Sequence, residues 1–180
     1  MSALAIGLVV AAGGCAAFAP TGDAPRPEVP WVATELAIVN AMLDAAGVGP
    51  SDVVYDLGCG DGRIVVMAAQ RGARGFGMDI DASLIRTANR HADRAGVADR
   101  AKFAVQDLFV TDLSPATVVT LYLSPEFNLK LRPKLLRELK PGSRVVSHDF
   151  DMGDWRPDRV LEVRDHSRPH KILLWTIPAR

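Results

Sequence analysis

Residues Val53 to Ile64 read VVYDLGCGDGRI, and no other stretch constrains the fold of this chain as strongly. A buried apolar strand ends on Asp56-Leu57, passes through Gly58, Gly60 and Gly62, and runs straight into a helical pattern. Glycine lets the backbone turn tightly and approach a ligand with no Cβ in the way, and the helix that follows offers free N–H donors at its start. The turn predicts a docking place for something compact and polar.

The rest of the chain repeats that strand-and-helix rhythm. Leu36, Ile38, Val39, Met42 and Leu43 recur at helical spacing before Gly47. After the strand at Val53–Leu57, a helix is expected over Asp61–Arg71 and a second strand over Gly75–Ile80. Asp81 can cap the next helix, whose apolar stripe is Leu84, Ile85, Ala88, Ala92 and Ala95. Strands follow at Lys102–Val105, Val118–Leu123 and Arg144–His148, with a helix before the last of them that Pro133 is expected to interrupt early. Val160–Val163 and Ile172–Ile177 flank a polar turn at 165–169, which predicts an antiparallel hairpin. The expected fold is α/β: a Rossmann-like three-layer sandwich with a mostly parallel sheet and a C-terminal antiparallel hairpin, binding ligands beyond the carboxyl ends of its strands.

Composition narrows the class. The chain has 180 residues, 48% of them hydrophobic, which suffices for one well-buried domain, expected over 31–180. Its formal net charge is zero, so nucleic acid is not an expected partner. Cys15 and Cys59 have no metal-ligand or disulfide spacing. Residues 3–19 carry no charge and resemble the apolar part of an export signal or a short membrane anchor, so 1–19 is read as a leader and 20–30, with Pro20, Pro25, Pro27 and Pro30, as a linker. A functional leader implies membrane association or export, and otherwise the chain is cytoplasmic.

Two ligands compete for the glycine turn. A dinucleotide fingerprint wants its third glycine at position 63, which is Arg63 here. Asp56 at the strand end also suits an ammonium group better than a pyrophosphate, so S-adenosylmethionine fits better than a dinucleotide. Asp79 ends the second strand where a carboxylate can bind ribose hydroxyls. Asp107 and Leu108 follow the third strand where they can meet an adenine. Each residue alone is as well explained as a turn or cap; their order along successive strand ends is what points to one adenosyl ligand.

With these motifs the chain resembles the class I, seven-strand S-adenosylmethionine-dependent methyltransferases. The resemblance implies that Asp56, Gly58, Gly60, Asp61 and Gly62 surround the methionine part of S-adenosyl-L-methionine, Asp79 the ribose, and Asp107 with Leu108 the adenine. Val29-Pro30-Trp31-Val32-Ala33-Thr34, Gly60-Asp61-Gly62-Arg63-Ile64, Leu121-Tyr122-Leu123-Ser124-Pro125 and Glu138-Leu139-Lys140-Pro141-Gly142 carry a narrower likeness. They are similar to the protein-lysine methyltransferases related to the mitochondrial ATP synthase c-subunit enzyme and its archaeal counterparts. Those relatives more usually have Tyr at the position of Trp31 and Pro at that of Ala33.

The likeness implies a protein substrate methylated on lysine; a small-molecule or lipid-linked acceptor, or an adenosyl-binding protein without catalysis, are the alternatives. Tyr122, Ser124, Glu126 and Asn128 either line the acceptor pocket or cap the next helix. Asp149 and Asp151, in the loop after the fifth strand, are expected to form an acidic lip that attracts an ammonium group. One histidine, His148, among aspartates is a weak ligand set, so no metal is expected. His166 and His170 fall in the hairpin, and no chemical part is assigned to them.

Overall fold

The computed structural model describes residues 32–179, so the leader 1–19 and the linker 20–30 lie outside the described residues. The elements are α1 (Leu36–Ala45), β1 (Val53–Leu57), α2 (Arg63–Gln70), β2 (Arg74–Asp79), α3 (Ala82–Arg94), β3 (Ala101–Val105), β4 (Val118–Leu121), α4 (Pro125–Glu138), β5 (Arg144–His148), β6 (Arg159–Arg164) and β7 (Pro169–Thr176). The strands form a seven-stranded sheet in the order β3-β2-β1-β4-β5-β7-β6. The first five run parallel, and β7 lies antiparallel between β5 and β6.

Alternation along the central strands explains the two faces. Tyr55, Leu57, Val119, Leu121, Val145 and Trp175 join Leu131 and Leu135 of α4 in one apolar layer. Val54, Val118, Val146, Ile172 and Leu174 point the other way, onto Ile38, Met42 and Leu43 of α1 and Ile64 of α2. A strand buried on both faces reads as a continuous apolar run, as β1 does. Chain order reverses between β1 and β4, which leaves a crevice above their carboxyl ends.

Several strand ends shift by one to three residues from the sequence expectations, most at β7, which starts at Pro169, and three further differences have a local physical reason. Helix α2 starts at Arg63 because Gly62, with φ 77°, is its left-handed N-cap. Strand β4 ends at Leu121, so Tyr122 and Leu123 leave the ladder and turn toward the crevice. Helix α4 runs unbroken through Pro133, whose exposed position leaves the carbonyl that loses its partner on the solvent side. Asp81 caps α3 as expected, accepting from the N–H groups of Ser83 and Leu84. Among the described residues, no helix is long and apolar enough to cross a membrane.

Candidate active site

A cavity of about 350 Å³ opens over the carboxyl ends of β1, β2 and β4. Asp56, Gly58 and Asp61 form its floor, Asp79 and Asp81 one side, Asp107, Leu108 and Phe109 the next, and Tyr122, Phe127 and Lys130 the outer rim. The loops after four successive parallel strands therefore converge on one volume.

The glycine turn is held open by hydrogen bonds to side chains. The Gly60 N–H donates to Asp79 Oδ2 (2.9 Å), and the Asp81 N–H to Asp79 Oδ1 (2.9 Å), so Asp79 ties the turn to the start of α3. A Cβ on Gly62 would stand 2.6 Å from both the Ala88 Cβ and the Phe103 ring. Gly60 and Gly62 shape the turn from behind, while Asp56, Gly58, Asp61, Asp79, Asp107 and Leu108 reach the cavity wall.

Asp56 is 3% exposed, and the Thr120 hydroxyl donates to it at 2.6 Å. Burial, with the charges of Asp79 and Asp61 adding to it against the Thr120 bond, pushes its carboxyl up to about 7. Asp61 behaves oppositely. Burial opposes its ionisation, but the Arg63 guanidinium donates to it from Nε (2.9 Å) and Nη2 (2.7 Å) and holds it below the usual carboxylate range. Arg63 Nη1 also donates to the Thr34 carbonyl (2.8 Å), fastening the segment before α1 over the turn. In the sequence Arg63 stands out only as a missing glycine; a carboxylate two positions earlier is the signal for this strut. Burial drives the Cys59 thiol far above its ordinary value, so it supplies no thiolate.

Five aspartates, Asp56, Asp61, Asp79, Asp81 and Asp107, face this cavity against Arg63 and Lys130. Such a wall favours a cationic ligand with several hydroxyl and amino donors, and S-adenosylmethionine, a sulfonium with an ammonium, a ribose and an adenine, is of that kind. Asp107 itself is exposed and accepts from the Phe109 N–H (2.8 Å), while Leu108 packs against the core beside it.

The acceptor-side residues separate. Tyr122 lines the cavity and stacks on His148, ring centroids 3.9 Å apart. Ser124 caps α4 by accepting from the Phe127 N–H and donates to exposed Glu126 at 2.8 Å. Asn128 is fully buried and donates to Ser147 Oγ and to the carbonyls of Phe150 and Asp151, tying α4 to the loop after β5. Asp149 turns toward β7, accepting from Arg168 (2.5 Å) and the Lys171 N–H (2.8 Å). Asp151 is exposed and accepts from the Gly153 N–H. Thus Tyr122 joins the cavity wall, and the other five stand around it. The structure also brings His170 against His148 and Asp149, a group that sequence reasoning misses because His170 lies on the hairpin, 22 positions from its partner.

Residues 56–159 match the ANTKMT methyltransferase domain. A protein-lysine N-methyltransferase of Saccharolobus islandicus (strain REY15A) is 43% identical over 84% of this chain and 95% of its own length. The ATP synthase c-subunit lysine N-methyltransferase of Homo sapiens is 37% identical over 59% of this chain, and the match spans 46% of that protein. Among solved structures, an RNA methyltransferase from Salinibacter ruber in complex with S-adenosyl-L-homocysteine is 51% identical, with a TM-score of 0.78 over 83% of this chain and 95% of that one. Family, fold and a cavity walled by strand-end aspartates agree: the chain belongs to the ANTKMT methyltransferase domain family and is an S-adenosylmethionine-dependent methyltransferase.

Proposed function

We propose that this enzyme methylates the side-chain nitrogen of lysine in a protein. One observation carries the reading: the archaeal relative named as a protein-lysine N-methyltransferase is matched along 95% of its length, so the two chains share one minimal domain plan. The cavity supports it. Among the described residues, its outer rim, at Tyr122, Phe127 and Lys130, has no inserted domain above it, since β5 leads within a short loop to the β6–β7 hairpin. A slender side chain carried by a bulky partner needs little further enclosure.

In this reading Asp56, Gly58, Gly60, Asp61 and Gly62 surround the methionine part of the cofactor, Asp79 holds the ribose, and Asp107 with Leu108 meets the adenine. The cofactor supplies an electrophilic methyl group on a sulfonium. The chain's residues align the acceptor nitrogen with it and keep water out. A lysine ammonium, of reference pKa about 10.4, must first lose a proton, and burial beside a sulfonium favours that loss. Residues 3–19 would tether or export the enzyme if they act as an anchor or signal.

A second reading, methylation of RNA, is favoured by the 51% identity to the Salinibacter ruber RNA methyltransferase. The balanced net charge gives it no broad basic face. Incubating the full chain with methyl-labelled S-adenosylmethionine and cell extract separates the two. Label is expected in the protein fraction, on lysine after hydrolysis. Label confined to RNA would replace the first reading by the second, and label confined to small molecules would remove both.

A further inference from the structure

Behind the Tyr122 wall of the cavity, apart from the residues assigned to the cofactor, two imidazole nitrogens and one carboxylate oxygen meet. His148 Nε2 lies 2.7 Å from His170 Nδ1 and 3.4 Å from Asp149 Oδ2, and His170 Nδ1 lies 3.3 Å from the same Asp149 oxygen. Both histidines are buried, and Asp149 is largely so. His148 is the single histidine of its loop, which is why the sequence leads to no metal; the hairpin supplies the second.

The fold explains the meeting. His148 pairs with Ile172 across β5 and β7, and His170 stands two residues before Ile172, so the two histidines share one face of the sheet as diagonal neighbours. Asp149 follows His148 directly and would face away from it in a regular strand, but its φ of 64° turns it back. It is the one non-glycine residue at positive φ among the described residues, and such strain persists where the surrounding contacts over-determine it. The Lys171 N–H holds the other oxygen, Oδ1, at 2.8 Å, which leaves Oδ2 to the histidines.

We propose that His148 Nε2, His170 Nδ1 and Asp149 Oδ2 bind a zinc ion, with water as the fourth ligand. Zinc bonds of about 2.0–2.2 Å at tetrahedral angles set the ligand atoms about 3.3–3.6 Å apart. Both separations from Asp149 meet that spacing, and the two nitrogens have to part by about 0.6 Å. Imidazole ligands suit zinc and not magnesium or calcium, which take oxygen. The ion clamps the hairpin to β5 behind Tyr122, whose ring stacks on His148 at 3.9 Å and lines the cavity. The site is independent of which acceptor the enzyme methylates.

The outward nitrogens support the assignment. His170 Nε2 is buried with no hydrogen-bond partner, although Asp165 Oδ2 stands 2.9 Å away. When the His170 hydrogen sits on Nδ1, where it meets the Asp149 carboxylate, Nε2 is a bare acceptor against a second carboxylate, and such a buried atom requires an explanation. A cation on Nδ1 moves that hydrogen to Nε2, facing Asp165, and a cation on His148 Nε2 leaves a hydrogen on Nδ1, 3.4 Å from the Thr34 hydroxyl oxygen. Histidines that ligate metals characteristically turn their other N–H to a carboxylate or another oxygen. Arg168 is the competitor: its guanidinium donates to Asp149 Oδ2 at 2.5 Å. Its side chain is half-exposed, so it can swing into solvent and yield that oxygen to the ion.

Titrating the full chain, first stripped with a chelator, with zinc chloride in a calorimeter tests the site without cofactor or acceptor. One zinc per chain is expected, undisturbed by excess magnesium. His170→Ala is expected to lower the affinity by more than the roughly 10–100-fold that loss of a supporting residue costs. His166→Ala, which removes an exposed histidine of the same turn, leaves it unchanged. Arg168→Ala is expected to raise it several-fold by removing the competing guanidinium, and because that side chain lies at the surface this variant keeps the test decisive where a histidine variant fails to fold. Cobalt(II) in place of zinc should give the visible absorption of a four-coordinate ion, lost in Asp149→Ala. Zinc bound equally by the unaltered chain and His170→Ala is adventitious and refutes the site, as does Arg168→Ala that binds no zinc or binds it more weakly.

Discussion

Asp56 is buried beneath the cavity between two other carboxylates, so in the free enzyme it keeps its proton up to about pH 7. A cation docking beside it favours the ionised form and lowers that value. The sign follows: below about pH 7 the site must release a proton to bind, so cofactor affinity rises with pH through this region and levels off above it. Calorimetry in two buffers of different ionisation heat should show proton release that Asp56→Asn abolishes; a flat affinity from mildly acidic to mildly alkaline pH would contradict the assignment. Asp79 offers a second test. Asp79→Ala is expected to weaken cofactor binding by about 1–3 kcal/mol through lost, partly buried hydrogen bonds, with a thermal melt confirming that the fold survives. Both aspartates are legible in the sequence because each ends a strand that periodicity alone locates. The raised value of Asp56 is not, since it comes first from burial and then from the approach of Asp79, and both arise only once β1 pairs with β2 and β4.

At the scale of elements, the glycine turn and α2 form a unit whose geometry leaves little room. Gly62 combines positive φ with a Cβ position already occupied by Ala88 and Phe103, from α3 and β3. Gly62→Ala should therefore lower stability by about 1–3 kcal/mol from backbone strain alone, more where α3 cannot shift. Denaturant unfolding reads this, and an unchanged midpoint would show that the turn relaxes. The start of α2 lies two residues beyond its sequence expectation for the same reason: nothing local shows that Gly62 is left-handed until α3 packs against it. Pro133 teaches the converse. Its sequence signal is strong, yet α4 continues through it, because Leu131 and Leu135 bury the opposite side and hold the helix to the sheet.

Across the whole molecule, β7 ties the C-terminal hairpin to the parallel sheet. Trp175 is fully buried, and its indole N–H donates to the Trp155 carbonyl at 2.8 Å. Replacing it by alanine removes one of the largest side chains in the core, so Trp175→Ala should lower stability by about 3–5 kcal/mol in an equilibrium melt. Loss below about 1 kcal/mol would mean that the hairpin contributes little to the fold. The hairpin also carries His170 to His148, whose ring stacks on Tyr122 of the cavity wall, so its docking links stability to the site.

By itself the sequence determined the alternating α/β plan, the glycine turn and the order of the strand-end carboxylates. Glycine conformation, side-chain periodicity and helix caps act over a few residues and leave their mark on neighbouring letters. It determined that Asp56, Asp79 and Asp107 lie at or just past the ends of successive strands, hence that they share one end of a parallel sheet. The tertiary structure decided what is brought together from far apart. Thr34 meets His148 across 114 positions, Arg63 reaches the Thr34 carbonyl across 29, and β7 enters the sheet ahead of β6. Those contacts depend on which faces are buried together, and no local pattern encodes that choice. The Val53–Ile64 turn thus announces the cofactor, whereas the acceptor side is assembled only by packing.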